Sequence, residues 1–314
     1  MTPRRSVTRV PRRGWLAVWV GLLVVGVAVP TVWLATAWGD STILAGPAAS
    51  SAEVATSSPS VASISAASST PTPTAATTTA KVPSSLTVAL SELGVSGTVS
   101  VAAYDLTDGD QLVAGSGSFE TASIVKVDIL VALLVQRSGT LTTTQKSLAR
   151  EMITESDNDA ATALFKAVGS ASGLNATNAK LGLVETTAGT AGNWGLTSTT
   201  AADQVRLLRL IFQPSSVLSA ASQAYVVSLM TAVDDDQDWG ISVADQDGVG
   251  YAIKDGWLPR STTGLWDVTS IGSVQSGGHQ LLVVVLVNRA STMASGISTI
   301  EKAARAAAQR VLAT

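Results

Sequence analysis

Hydrophobic and polar positions divide the chain into three stretches of different character. Residues 15–38, WLAVWVGLLVVGVAVPTVWLATAW, carry no charge at all. Residues 39–83 are mostly Ser, Thr, Ala and Pro, with almost no large apolar side chain. From residue 84 onward apolar positions recur at strand and helix spacings. Gly97 to Gly115 alternates around Asp108-Gly109, which predicts a β-hairpin. Ile124 to Val135 is apolar at helical spacing and predicts a buried helix beginning near Ser123. Leu141 to Ile153 and Asp159 to Val168 predict two more helices, and Gly169 to Gly195 reads as irregular. Thr199-Thr200 caps a helix with the stripe Val205, Leu208 and Ile211, and Val217 to Val233 continues helical. Gly248 to Lys254, Leu265 to Val274 and His279 to Asn288 are β-branched runs split by turn residues, and Ile297 to Val311 closes the chain as a helix. The order predicts an α/β fold: a five-stranded antiparallel sheet, built from the first two and last three strands, with a helical lobe inserted between them.

The first 83 residues stand apart from that fold. Residues 1–13 hold five arginines and no acidic residue, and the uncharged run after them is long enough to cross a bilayer of about 30 Å. Arg-rich flanks stay cytoplasmic, so the reading is a basic cytoplasmic tail over 1–13 and a transmembrane anchor over 14–38, with the rest of the chain extracytoplasmic. Ala35-Thr-Ala37 offers a signal-peptide cleavage site as the alternative, in which case the domain is secreted. The run exceeds a usual signal core, which favours the uncleaved anchor. Residues 39–83 have too little to bury to offset the entropy of ordering, and are read as a disordered spacer. The folded domain is expected over 84–314.

Composition then removes several classes of function. The chain has no cysteine and one histidine, which excludes disulfides and thiolate metal sites and leaves no basis for zinc catalysis. Five of its 20 basic residues lie in the N-terminal tail, against 23 acidic residues overall. The remainder is acidic, which argues against a nucleic-acid partner. Asp234, Asp235, Asp236 and Asp238 precede Trp239-Gly240, but the glycine offset is wrong for an EF-hand and the segment reads as a solvated loop. His279 reads as a turn residue before a strand. Trp239 and Trp266 read as core or cleft-wall aromatics.

Three short motifs carry the chemistry: Ser123-Ile-Val-Lys126, Ser156-Asp-Asn158 and Lys254-Asp-Gly256. If Ser123 opens a helix, Lys126 lies one turn later on the same face. Burial and a second cation would lower the pKa of Lys126 and let it take the Ser123 proton. Lys254 is the natural second cation. Ser156 bridges the two lysines and passes a proton to a leaving amine, and Asn158 suits a contact with a substrate amide. Gly256 permits close backbone approach, so the N–H of Trp257 pairs with that of Ser123 as an oxyanion hole. Taken singly, each motif is commonplace: a chance Ser-x-x-Lys, a helix cap, a turn. Their order along the chain is what points to a covalent acyl-serine formed on an amide or strained lactam.

FETASIVKVDILVALL, MITESDNDAATALF and YAIKDGWL resemble the three active-site elements of class A β-lactamases and related penicillin-recognising serine enzymes. The resemblance runs from about Leu86 to the C-terminus. It implies a transpeptidase-like sandwich with Ser123 as nucleophile, Lys126 as base, Ser156 as proton shuttle, Asn158 as amide contact, Lys254 as electrostatic anchor and Trp257 as oxyanion donor, with no cofactor. Three departures qualify it. The segment LGLVETTAGTAGNWGLTSTT has no Glu-x-Glu-Leu-Asn pattern, so the family's deacylation base is missing, and Glu185 is the only carboxylate in the stretch. Asp255 replaces the family's Thr or Ser; facing the cleft, it would repel a carboxylate ~5 Å away by about 3 kcal/mol at an effective dielectric of ~20. The short connection Gln136 to Leu148 implies an open groove. The expected function is an exported serine hydrolase of the class A β-lactamase-like type, slow to deacylate β-lactams. The alternatives are a D,D-peptidase or amidase acting on cell-wall peptide, and a non-catalytic protein that binds wall fragments.

Overall fold

The structure, a computed structural model, describes residues 83–314. The basic tail, apolar run and nearly all of the spacer lie outside those residues. No helix among the described residues is long and apolar enough to cross a membrane.

Strands β1 (Ser85–Val88), β2 (Thr98–Asp105) and β3 (Gln111–Ala114) open the fold, followed by a two-residue strand β4 (Phe119–Glu120). Helices α1 (Val125–Gln136), α2 (Thr143–Thr154), α3 (Asn158–Ala167) and α4 (Ser170–Leu181) come next. Strand β5 (Ser198–Thr199), α5 (Ala201–Phe212) and α6 (Ala220–Met230) precede the meander β6 (Ala252–Pro259), β7 (Trp266–Ser276) and β8 (His279–Ala290), and α7 (Met293–Val311) ends the chain. The large sheet has six strands in the order β1-β3-β2-β8-β7-β6. It is therefore one strand wider than the alternation predicts, and not wholly antiparallel, because β1 runs parallel to β3. Four residues beside a polar spacer give too short a pattern for β1 to register as a strand.

The sheet is covered on both faces, and β8 records this in its sequence. Leu282, Val284 and Leu286 join the core under the helical lobe. Leu281, Val283, Val285 and Val287 join the core under α7. A strand buried on both faces reads as a continuous apolar run rather than an alternating one. In α1 every residue from Val125 to Leu134 is buried, the signature of a helix at the centre of a core.

The predicted starts of α2, α3 and α5 rest on side-chain caps: Thr142, Asp157 and Thr200 each accept a bond from the backbone N–H three residues on. The segment read as irregular contains α4, which corrects that expectation. Its only large apolar side chains are Leu174 and Leu181, seven residues apart, among Ser, Gly, Asn and Thr, too sparse a stripe to announce a helix. At the other end of the molecule, Asp110 accepts bonds from the Ser84 N–H (2.6 Å) and the Thr314 hydroxyl (2.9 Å).

Helix α4 brings Asn178 to Asp128 of α1, where the Asn178 amide donates to Asp128 Oδ2 at 2.9 Å. Asp128 Oδ1 and Asn178 Oδ1 have no hydrogen-bond partner. Burial pushes the Asp128 carboxyl up to about 7, with Asp203 adding to the effect and the Asn178 bond opposing it. The native state thus favours the protonated form. The stabilisation this gives is complete below the unfolded pKa near 4 and is lost as pH rises to about 7. Asp128→Asn keeps the bond from Asn178 and supplies a donor for Asn178 Oδ1. Thermal unfolding should find it more stable than the parent at pH 8, by on the order of 2 kcal/mol, and little changed at pH 4.

Candidate active site

The three motifs meet at the junction of α1, the α2–α3 turn and edge strand β6. Ser123 sits in a 3-10 turn, Ala122–Ile124, that leads into α1. The residue before it, Ala122, has φ 47°, and Ser156 in the second motif has φ 55°. Left-handed backbone at non-glycine residues costs on the order of 1 kcal/mol or more each and persists only where surrounding structure enforces it. Here both instances lie in the walls of one cleft.

That cleft, about 320 Å³, is lined by Ser123, Ser156, Asn158, Trp194, Gln237 and Trp257 among others. Lys126 lies beneath it with no exposed surface. Its Nζ donates to Ser156 O at 2.7 Å, Ser156 Oγ at 3.0 Å and Asn158 Oδ1 at 2.9 Å, so all three ammonium donors are used. The indole of Trp194 covers the same nitrogen, 4.8 Å from Nζ to the ring centroid. Burial first, then the charge of Lys254, pushes Lys126 down to about 7, against a smaller opposing effect of Asp157. At neutral pH the neutral amine is therefore well populated, as a base acting on a serine hydroxyl requires.

Lys254 is also fully buried. It donates to Gln237 Oε1 at 3.3 Å and to the Asp255 carbonyl at 3.2 Å. Burial pushes it down to about 8, and the Asp255 charge works the other way. Gly256 explains the close packing of β6 on the nucleophile turn. A Cβ there would lie 2.6 Å from Ser123 N and 2.9 Å from Thr121 O, so only glycine fits without displacing backbone. The Thr269 hydroxyl, donating to Thr121 O at 2.9 Å, pins the same turn to β7.

Asp255 does not join the cleft. Neighbouring residues in a strand point to opposite faces, and Asp255 is buried on the other side of β6 from Lys254, beneath Gly240 and beside Ser270. Ser270 and the Trp239 backbone lie near its oxygens, yet neither oxygen is in hydrogen-bond geometry with a partner. The repulsion expected against a substrate carboxylate therefore has no structural basis. Glu185 is likewise outside the cleft: it is exposed, with its carboxylate 3.4 Å from the Thr200 hydroxyl.

Several cleft residues carried no sequence signal. Trp194 lies in the glycine-rich segment without a motif. Asp236 and Gln237 belong to the acidic run read as a solvated loop, and Glu155 adjoins Ser156. Bonds from Asp234 N to Thr154 O (3.0 Å) and from the Gln237 amide to Glu155 O (2.8 Å) tie that run to the end of α2, which makes it a wall of the cleft. Away from the cleft, His279 is more than a turn residue: it begins β8 and its Nδ1 pairs with Asp105 Oδ2 at 2.7 Å.

A family model described as "Beta-lactamase enzyme family" matches residues 135–311, downstream of Ser123 and Lys126. Among solved structures, that of PBP-A is similar with a TM-score of 0.62 and 20% identity, covering 74% of this chain and 100% of that one. A point mutant of PBP-A, in an acyl-enzyme complex with penicillin G, gives 0.58 and 21%, covering 69% and 91%. The TLA-3 extended-spectrum β-lactamase gives 0.60 and 16%, covering 69% and 94%. At these identities the likeness is one of fold. No curated protein matches the chain.

Proposed function

Because the chain belongs to the beta-lactamase enzyme family, we propose that it is an exported serine hydrolase that forms an acyl-serine at Ser123 and releases the acyl group slowly. The observation that carries this reading is the buried Lys126 ammonium, bonded to Ser156 and Asn158 under a cleft that holds Ser123. Ser123 Oγ adds to the carbonyl carbon of an amide or lactam as its proton passes to neutral Lys126. The C–N bond then breaks, and the proton travels through Ser156 Oγ, 3.0 Å from Nζ, to the leaving nitrogen. The backbone N–H groups of Ser123 and Trp257 stabilise the oxyanion. Lys254 contributes its charge from below without lining the cleft.

Slow release rests on what the segment over Lys126 presents. Trp194 covers the amine, and the only carboxylate of that segment, Glu185, lies outside the cleft. Glu155 and Asp236 line the cleft from other elements. The same two carboxylates, with no exposed cation in the lining, support a second reading: an amidase or D,D-peptidase whose acyl donor is a neutral or cationic cell-wall peptide. Export is supported by the Arg-rich start and uncharged run of the sequence.

Intact-mass spectrometry of the purified full chain, after exposure to a penicillin, a cephalosporin and a carboxylate-free acyl donor, tests the proposal. A persistent adduct on the parent, absent from Ser123→Ala, is expected. Rapid turnover without a lasting adduct would mean efficient deacylation. No adduct with any of the three donors would leave a non-catalytic binding protein.

A further inference from the structure

We propose that Trp194 sets the lifetime of the acyl-enzyme, its indole shielding the ester at Ser123 from water on the side of Lys126. This rests on the acyl-serine reading above and adds the residue that controls its second half.

Release of the acyl group requires a water oxygen to add to the ester carbon. The carbon–Oγ bond of Ser123 then breaks, one water proton returns to Oγ, and the acyl group leaves as a carboxylic acid. The water needs both a path to the carbon and a neighbour able to take its proton. Lys126 is one such neighbour, and the Trp194 ring lies over its Nζ, 4.8 Å from nitrogen to ring centroid. Its three donors are directed at Ser156 and Asn158. The indole therefore stands over the amine on one side of the cleft whose lining also holds Ser123, where it hinders a water from reaching amine and ester together. Excluding water in this way protects a hydrolysable intermediate.

The ring is held in place from several directions, which distinguishes it from an aromatic side chain resting on a surface. Its Nε1 donates to the Thr162 hydroxyl of α3 at 3.1 Å. The Trp194 carbonyl accepts from Thr197 N (3.0 Å) and from the Thr197 hydroxyl (2.7 Å). Thr197 O in turn accepts from Thr121 N at 2.8 Å, two residues before the nucleophile. Strands β4 and β5 pair across the same junction, Phe119 with Thr199 and Glu120 with Ser198. The segment bearing the indole is thus bound directly to the approach to Ser123.

The test separates formation of the adduct from its decay. The full-length parent, Trp194→Ala, Trp194→Phe and Thr162→Ala are acylated with a penicillin, freed of excess reagent, and followed by intact mass. Trp194→Ala should lose its adduct at least ~10-fold faster than the parent. Its acylation rate is read separately, because uncovering Lys126 removes part of the burial that lowers its pKa. Trp194→Phe, which keeps a ring, should stay close to the parent, and Thr162→Ala, which frees the indole, should fall between. An unchanged lifetime in Trp194→Ala with acylation intact would overturn the assignment of Trp194 alone. If Trp194→Ala does not fold, Thr162→Ala decides: a shorter lifetime supports the shield and an unchanged one overturns it. A parent that forms no adduct would remove the acyl-serine reading and this inference with it.

Discussion

Replacing Lys126 with methionine should reduce acylation of Ser123 by at least ~10³-fold, because the substitution removes the proton acceptor while keeping the length of the buried chain. In the parent, the same step should accelerate with pH along a limb centred near 7, where Lys126 loses its proton. The direction follows from the role: the base works in its neutral form, so activity is low below the pKa and reaches a plateau above it. The Lys126→Met variant should show no such limb in its residual rate. Ser156 O, Ser156 Oγ and Asn158 Oδ1 also lose their shared donor. Ser156 is only half-buried and Asn158 is exposed, so water can take over those bonds and the change in stability should be small. Acylation rates measured by intact mass from pH 5.5 to 9.5, beside melting curves, keep the two effects apart. A variant that acylates at the parent's rate would transfer the base to another group.

Lys254→Met is expected to cost about 10²-fold in acylation at pH 7, with part of the loss recovered at pH 9. Two of the forces on Lys126 are burial and the charge of Lys254. Removing that charge leaves burial opposed by Asp157, so the Lys126 pKa rises and its rate limb moves to higher pH. Burial lowers Lys254 as well, so the parent rate should fall again on the alkaline side as Lys254 itself deprotonates, giving a bell-shaped profile; in Lys254→Met that alkaline fall should be absent. If instead the variant's loss is the same at every pH, Lys254 acts only by fixing substrate or transition state and does not tune the base. Asp255, buried behind the strand, loses its neighbouring cation in this variant and should take up a proton more readily, because burial already pushes its carboxyl up to about 8.

Periodicity made the core of this fold legible and left its margins dark. The β2–β3 hairpin, α1, β7, β8 and α7 each carry a long, regular apolar pattern and stand where that pattern predicts, whereas β6 lies at Ala252–Pro259, displaced along the chain from the predicted Gly248 to Lys254 run. Strand β1 and helix α4 carry almost none, because one is four residues long and the other buries small and polar side chains such as Thr177 and Asn178. Ser123, Lys126, Ser156 and Asn158 converge as their motifs suggest. Strand alternation encodes the placement of Asp255 too: side by side in β6, Lys254 and Asp255 cannot both face the cleft. Trp194 was not legible, since its position depends on a loop conformation fixed by bonds to Thr121, Thr162 and Thr197, and no spacing rule encodes such bonds.

The Asp110 clamp joins the two ends of the folded region at one corner. The chain from Pro83 to Thr314 is in effect a ring opened at a single seam. The seam lies at β3, four strand spacings, or roughly 20 Å, from edge strand β6. Any cargo or tether attached before Pro83 or after Thr314 therefore departs from the side of the sheet remote from the nucleophile. A peptide joining those ends would convert the domain to a circular permutant without crossing the reactive edge.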